Sequence, residues 1–395
     1  MKIAHVANFF MPERGYTEYY LAKKQHEMGH DVCVITSDRY PSSGKRYRKS
    51  GSMAQFEDEL EVFRLPSAIE LSGDVFVSIN EFKRCLIDFS PDIVHIHSAL
   101  SPLGFTSALY KHAIGYKTVA NVISGIVIAE GLTLAIKKAL LKIYTKTAWP
   151  YVSDRIDCFV AYAEAAVNWM QKEVNIDRSR IRFIPLGADS DLFCFNSQKR
   201  VTVREKLGVT DNDVIAIYTG KLLPYKKLDT LFSASAPLVR MHDDFRILIV
   251  GEGADQYVNH LRLITNNLNM NRNVIFHHAV HRTELPSFYS AADFAVWPGH
   301  HSISVIEAMS TGLPIIIPES RWMNHLLKFE NGFSYTEGDV AGLRKRIHIL
   351  LNNVELRREM GKRSRELVEK ELNWNSIAEE YLRVYNSVLE KRNQL

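Results

Sequence analysis

Short runs of β-branched and other apolar residues alternate along the chain with longer stretches in which apolar residues recur at helical spacing. The short runs are continuously apolar, which indicates strands buried on both faces of a parallel sheet that helices cover. The alternation of strand and helix therefore predicts an α/β protein with doubly wound sheets. The runs form two series, which predict strands at Lys2–Ala7, Asp31–Thr36, Ile93–His97, Thr118–Val122, Cys158–Ala161 and Ile181–Ile184, then at Val214–Thr219, Arg246–Val250, Val274–His277, Phe294–Trp297 and Pro314–Ile317.

The two series of strands predict two domains, and the length of 395 residues agrees, because a single core rarely grows that large. The polar stretch Asn196–Val203 separates the two series. We therefore expect residues 1–198 to form the first domain and residues 199–374 the second. A last helix, predicted at Ser376–Glu390, carries apolar residues along one side, and we expect residues 375–395 to cross back and bury that side on the first domain.

Composition narrows the class of protein. Apolar residues make up 46% of the chain and charged residues 24%, which excludes a disordered or fibrous protein. The formal net charge of only +4 argues against a nucleic-acid binder. Four widely spaced cysteines give no zinc-site spacing and favour reduced thiols, and polar residues interrupt the most apolar stretch, Thr118–Ile136. We expect a cytoplasmic protein without a transmembrane segment.

The loops that follow the strands are the expected ligand site, because open α/β sheets bind ligands at the carboxyl ends of their strands. After the first strand, Gly15 fits either a plain turn or a close approach of backbone N–H groups to an anion or sugar. A single glycine in so long a loop is not a dinucleotide-binding fingerprint. After Thr219, a turn opened by Gly220 carries Lys221 and Lys226, which suit a diphosphate but also an ordinary solvated loop.

Two further loops qualify in the second half of the chain. Gly251 lies in a Gly-Glu-Gly turn that fits the wall of a pocket. The loop after Trp297 leads into a helix that we expect to begin near Ser302 to Ser304, with free N–H groups suited to a phosphate. Glu307 follows one turn later, where it either completes a capping box with Ser304 or accepts hydrogen bonds from two ribose hydroxyls.

Taken together and in order, these motifs resemble the retaining glycosyltransferases of family 4. The resemblance spans nearly the whole chain and rests on the opening loop with Gly15, Pro91–His97, Ile184–Asp189, Gly220-Lys221 with Lys226, Val250–Gly253, Ala292-Asp293, and Glu307–Met309 with Gly312–Pro314. It implies the GT-B fold, in which two Rossmann-like domains face a central cleft. It also implies that the first domain binds the acceptor and the second the nucleotide-sugar donor.

The resemblance further implies roles for individual residues. Lys221, Lys226 and Glu307 would be the catalytic set, the lysines on the donor diphosphate and Glu307 on the ribose. His97 and Ser124 would contact the acceptor or the sugar. The family needs no metal or other cofactor. The donor-binding residues implied, besides Glu307, are Gly15, Gly220, Gly251, His300, His301, Ser302, Ile303, Ser304 and Val305.

The sequence departs from the family pattern at three positions. Gly299 stands where the first glutamate of the Glu-x7-Glu motif belongs, so either His300 or His301 substitutes for it or the sugar is held differently. Ser124 replaces a histidine, and Asn324 stands where the family often has a glutamate near the sugar. These departures leave a second interpretation open, in which the chain is a non-catalytic or weakly active nucleotide-sugar-binding protein of the same fold.

The expected function is transfer of a hexosyl-type group from a UDP- or GDP-sugar to a glycan or lipid-linked acceptor, such as a polyprenyl-linked one. The resemblance implies retained anomeric configuration and a front-face reaction without metal. Residues 132–149 form a basic amphipathic segment whose lysines suit an anionic membrane surface, although an ordinary surface helix has the same pattern. These lysines are Lys137, Lys138, Lys142 and Lys146. We therefore expect a cytoplasmic protein that is peripheral on the membrane.

Overall fold

The computed structural model describes residues 1–40, 55–71, 74–122, 142–300 and 302–390. The chain forms two compact units, Met1–Pro185 together with Ile377–Leu395, and Leu186–Ser376. The first boundary thus precedes the expected one at residue 198. The reason is that Phe193 is fully buried in the core of the second unit, and the Ala188 N–H donates to the Leu372 carbonyl at 2.8 Å.

The first unit is built on an eight-stranded sheet with the order β10-β9-β8-β7-β1-β2-β4-β3, parallel except for β3. The chain order reverses between β1 and β7, which we call the first switch point. A separate hairpin, β5 with β6, lies outside this sheet. The strands are β1 Lys2–Ala7, β2 Asp31–Ser37, β3 Gln55–Glu57, β4 Leu60–Leu65, β5 Ser67–Leu71, β6 Asp74–Val77, β7 Ile93–Ile96, β8 Lys117–Asn121, β9 Cys158–Ala161 and β10 Ile181–Phe183.

Helices connect these strands. Serine side chains cap two of them, since Ser78 accepts from the Glu81 N–H and Ser101 from the Gly104 N–H. The helices are α1 Thr17–Glu27, α2 Ile79–Phe89, α3 Pro102–Ile114, α4 Trp149–Asp154 and α5 Glu164–Glu173, with 3₁₀ turns at Pro12–Arg14 and Arg178–Arg180. Residues 142–147 are also helical.

The second unit has a six-stranded, fully parallel sheet with the order β13-β12-β11-β14-β15-β16. This is the strand order of a doubly wound nucleotide-binding fold, and its second switch point lies between β11 and β14. The strands are β11 Val214–Thr219, β12 Phe245–Val250, β13 Val274–His277, β14 Phe294–Val296, β15 Ile315–Pro318 and β16 Gly332–Tyr335. The predicted α/β class with two doubly wound parallel sheets is confirmed. The cleft between them stays a prediction.

Helices also cover this second sheet. They are α6 Ser197–Leu207, α7 Leu228–Val239, α8 Asp255–Asn267, α9 Leu285–Ala291, α10 Ser304–Ser310, α11 Val340–Asn352 and α12 Val354–Leu367, with 3₁₀ turns at Pro224–Lys226 and Asn324–Leu327 and a π-helical turn at Val368–Leu372. Across the described residues, no helix combines the length and the apolar character that crossing a membrane requires.

The last helix, α13 (Trp374–Glu390), belongs from Ile377 onward to the first unit. Its apolar side is buried there, with Ile377, Tyr381 and Tyr385 at most 1% exposed. The Tyr381 hydroxyl donates to Asn121 Oδ1 at 3.1 Å, so the helix is held by hydrogen bonds as well as by apolar contact. The apolar side of the last helix is therefore buried in the first unit.

Candidate functional site

At the second switch point, the loops after β11 and β14 are tied to each other by hydrogen bonds. Trp297 Nε1 donates to the Thr219 carbonyl at 3.0 Å, and Lys226 Nζ donates to the His300 carbonyl at 3.1 Å. Trp297 is completely buried. Since ligands of this fold bind where the strand order reverses, the candidate site is the pair of loops that these bonds fix.

The loop after β11 begins with a glycine for a backbone reason. Gly220 has φ +138, which L side chains rarely adopt. A Cβ on Gly251 would overlap the Gly220 carbonyl oxygen, so the two turns pack backbone against backbone. Both residues thus have a packing role that places the lysines of the loop. Whether they also contact a donor stays a prediction.

The two lysines of this loop differ in environment. Lys221 is exposed, whereas Lys226 is 7% exposed at the end of the Pro224–Lys226 turn. Lys226 Nζ donates to the His300 carbonyl at 3.1 Å, which joins this loop to the loop after β14. Burial, together with the nearby charge of Lys221, lowers the pKa of Lys226 to about 8. A bound anion would oppose both effects, because a nearby negative charge favours the charged form of a lysine.

Gly299 lies against the same turn. A Cβ on Gly299 would come within 2.5 Å of the Tyr225 carbonyl oxygen and 2.8 Å of the Lys226 carbonyl carbon. Backbone atoms therefore occupy the space in which a side chain at this position would begin. The neighbouring His300 is exposed, and its ring packs edge-on against Tyr225 at 5.6 Å. His301 lies outside the described residues.

Glu307 is buried on α10, 4% exposed, and pairs with Arg282, whose Nε lies 3.3 Å from Glu307 Oε1. Burial raises the pKa of Glu307 to about 7, an effect that the Arg282 charge partly offsets. The Arg282 guanidinium in turn lies over the Phe193 ring at 4.8 Å. Sequence reasoning missed Arg282, because the 25 positions that separate it from Glu307 follow no motif spacing.

Some of the polar groups in the turn before α10 make hydrogen bonds with one another. The Ser302 and Ser304 hydroxyls bond each other at 2.6 Å, and the Val305 N–H donates to the Ser302 carbonyl at 3.2 Å. Ser304 is the first residue of α10 rather than its N-cap, and the Glu307 N–H donates to the Ile303 carbonyl at 3.2 Å, so the capping-box alternative for Glu307 is wrong. Contacts of residues 302–305 with a diphosphate stay predictions.

The remaining predicted residues are placed as follows. Gly15 ends the Pro12–Arg14 turn with φ +60, a left-handed conformation that favours glycine. His97 is buried just past β7 and bonds His5, and Asn324 Oδ1 accepts from the Ser320 N–H at 3.1 Å. Lys142 and Lys146 are exposed. Ser124, Lys137 and Lys138 lie outside the described residues, so the basic face predicted for residues 132–149 stays a prediction.

The fold and this site define a doubly wound protein of nucleotide-binding type, and comparison with known proteins identifies its family. Residues 17–192 match the model of glycosyltransferase family 4, and residues 199–367 match that of the group 1 glycosyl transferases. Together the two models account for most of the chain. The protein belongs to the family 4, group 1 glycosyltransferases, which confirms the predicted family.

Individual relatives are distant. An alpha-monoglucosyldiacylglycerol synthase of Streptococcus pneumoniae is 25% identical over 41% of this chain and 38% of its own length. An uncharacterised glycosyltransferase of Methanocaldococcus jannaschii is 23% identical over 76% of both chains. The chain spans about half the length of several other curated relatives. Anabaena HepE in complex with UDP superposes with a TM-score of 0.76 at 15% identity, covering 98% of this chain and 100% of that one, which shows the GT-B fold.

Proposed function

We propose that the protein transfers a sugar from a nucleoside diphosphate sugar to a glycan or lipid-linked acceptor, with retained anomeric configuration and without a metal in the transfer step. The observation that carries the proposal is the pair of loops at the second switch point, where a buried lysine and a buried glutamate flank the place at which this fold binds nucleotides. Family membership supports the same reading.

Glu307 is suited to the ribose of the donor. Its carboxylate is an acceptor with two oxygens, and the Arg282 contact at Oε1 orients it. In the proposal, the carboxylate also accepts hydrogen bonds from the vicinal hydroxyls. With a pKa of about 7, the side chain is only partly ionised at neutral pH, so hydroxyl donors that bind the anion would pull it toward the ionised form.

Lys226 is suited to the diphosphate. A cation held in a site that excludes water interacts more strongly with a phosphate oxygen than an exposed one does. The exposed Lys221 adds a second positive charge. These two cations would neutralise the charge that develops on the leaving diphosphate, which is the reason why the transfer step should need no metal.

The proposed reaction is a front-face substitution. The bond between the anomeric carbon and the diphosphate oxygen breaks, and the acceptor oxygen forms its bond to that carbon on the same face. The acceptor proton passes to the departing phosphate, so the products are a glycoside and a nucleoside diphosphate. The similarity to an alpha-monoglucosyldiacylglycerol synthase supports a lipid of the diacylglycerol type as the acceptor. The bound UDP of Anabaena HepE makes UDP-sugars the first donors to test.

A second candidate function is that of a nucleotide-sugar binder with little or no transfer. The specific observation that favours it is Gly299, where backbone atoms of the Tyr225 turn leave no room for the family's sugar-binding carboxylate. A binder of this type would keep the diphosphate and ribose contacts while failing to orient the sugar.

The two functions are separated by measuring binding and turnover on the same protein. UDP-, GDP- and ADP-sugars are screened by thermal shift, and the donor that binds is incubated with diacylglycerol or polyprenyl-phosphate acceptors in the presence of EDTA. We expect donor binding, transfer that EDTA does not abolish, and loss of most transfer in Lys226→Ala and Glu307→Gln. The exposed Lys328 serves as control, and Lys328→Ala should transfer normally.

Each other outcome has a clear meaning. Donor binding without transfer or hydrolysis for any acceptor class would favour the second function. Transfer at normal rate in both Lys226→Ala and Glu307→Gln would refute the site assignment. An absolute requirement for Mg²⁺ would refute the metal-free transfer step.

A further inference from the structure

Three histidines meet at the first switch point, and the steps of the transfer proposed above give none of them a role. The contact of His97 with the acceptor or the sugar stays a prediction. β1 and β7 are adjacent parallel strands, and their register pairs His5 with His95. His97 follows two residues later and so projects from the same face of the sheet. His5 and His95 are fully buried, and His97 is 5% exposed.

The ring nitrogens of the three histidines converge. His5 Nδ1 lies 2.9 Å from His97 Nε2, and the rings of His95 and His97 stack with centroids 4.4 Å apart. One nitrogen from each ring can be chosen so that all three lie within 4.8 Å of one another. His95 Nε2 is buried and makes no hydrogen bond of ordinary geometry among the described residues, with the Asn121 side chain as a polar neighbour of the ring. A buried polar atom of this kind needs an explanation.

Neighbouring side chains orient the outer nitrogens of two of these rings. His5 Nε2 bonds Gln25 Oε1 at 2.9 Å, and because an amide oxygen only accepts, the proton is on Nε2 and the lone pair is on Nδ1. His95 Nδ1 bonds the Tyr385 hydroxyl at 2.5 Å, which points Nε2 toward the other two rings. Histidines that bind metals are held in this way, with the outer nitrogen bonded to an oxygen.

We propose that His5 Nδ1, His95 Nε2 and His97 Nε2 bind a late first-row transition-metal ion such as Zn²⁺. An all-nitrogen set suits Zn²⁺, Co²⁺, Ni²⁺ or copper and disfavours Mg²⁺ and Ca²⁺, which prefer oxygen. On binding, the proton that His97 Nε2 shares with His5 moves to His97 Nδ1, and no bond to carbon changes. The ion would link the two strands that flank the first switch point, and it takes no part in the transfer step proposed above.

Co²⁺ added to the chelator-treated, full-length protein tests this proposal directly. We expect one equivalent to bind with the intense visible absorption of a four-coordinate site and Zn²⁺ to displace it, whereas Mg²⁺ should not. The weak spectrum of hydrated six-coordinate Co²⁺ would overturn the proposal. This measurement needs no variant, so it is decisive even where a buried substitution prevents folding.

Variants then locate the ion. His95→Gln and His97→Asn should each remove the stoichiometric Co²⁺ spectrum and the rise in melting temperature that Zn²⁺ gives the wild type. The matched control changes both members of a stacked pair near the surface, His277→Asn with His278→Asn, and should keep both signals. Loss of the signals in the control, or their persistence in folded His95→Gln, would place the ion elsewhere and refute the inference.

Discussion

Gly299 offers the sharpest test of how the candidate donor site is built. In Gly299→Ala the new Cβ would meet the Tyr225 oxygen at 2.5 Å and the Lys226 carbonyl atoms at 2.8 and 2.9 Å. Ordinary contact begins near 3.4 Å, so the Tyr225 turn must withdraw by about 0.9 Å at its closest point. All three neighbours are backbone atoms, so no flexible side chain can move aside.

We expect this overlap to reduce the free energy of unfolding by about 1–3 kcal/mol, as overpacking of a rigid site does. Because the turn carries Lys226, its displacement should also stretch the 3.1 Å bond from Lys226 Nζ to His300 and weaken donor binding. Gly299→Glu, which puts the family's residue back, should be worse than Gly299→Ala rather than better, since it needs more room.

Urea unfolding and calorimetric titration with the donor measure the two effects. Gly208→Ala is the control, because Gly208 has φ +67 and open space around its Cβ position. It precedes β11 and so lies at the amino ends of the strands, whereas the candidate site lies at their carboxyl ends. It should lower stability by about 1–2 kcal/mol through backbone strain alone and leave donor affinity unchanged. Tighter donor binding in Gly299→Glu with unaltered unfolding would refute the reasoning.

Three further predictions concern buried polar side chains. Diphosphate affinity, measured by calorimetry, should fall as pH rises from about 7 to about 9, because the pKa of Lys226 is about 8 and its charge is lost above that; an equal fall in Lys226→Ala would contradict this. Burial raises the pKa of Glu307 from 4.5 to about 7, so between these pH values the folded wild type keeps a proton that the unfolded chain has lost. The wild type therefore loses stability as pH rises, and Glu307→Gln should gain about 3 kcal/mol relative to it between about pH 4 and about pH 8. A pH-independent difference in denaturant unfolding would rule that out. Tyr385→Phe, which removes the hydroxyl shared by His95 and Gln25, should lower the free energy of unfolding by about 1–3 kcal/mol, and unchanged stability would show that these bonds contribute nothing.

Most of both sheets could be predicted from the sequence, because strands buried on both faces leave continuous apolar runs. The strands that the sequence did not predict lack this signal. β3 and β16 are edge strands, where Phe56 is 79% exposed and most of β16 is half-buried, and solvent on one side leaves their runs short and mixed. β4 is buried, but Glu61 and the buried Arg64, which pairs with Glu57, interrupt its apolar run. β5 and β6 form a hairpin outside the sheet.

The candidate site was only partly predictable, for a different reason. Lys226 and Glu307 follow motifs of fixed spacing, so their order along the chain places them on neighbouring loops. Arg282 has no such spacing, and only the packing of the turn before α9 brings it to Glu307. At Gly299 the sequence reveals a missing carboxylate, but that backbone fills the space is a property of the folded Tyr225 turn.

The two switch points, at the same topological position in the two sheets, differ in depth, and depth decides their chemistry. At the second, the proposed donor-binding groups lie beyond the strand ends, Lys226 on the turn after β11 and Glu307 on α10 after β14, and both are largely buried. At the first, two of the three histidines lie within β1 and β7 themselves, and α13 covers them with Tyr385. A diphosphate is too large and too highly charged to enter such a position. A single ion that exchanges its water for ring nitrogens is of the right size, so we infer an anion site at this place in one unit and a metal site in the other.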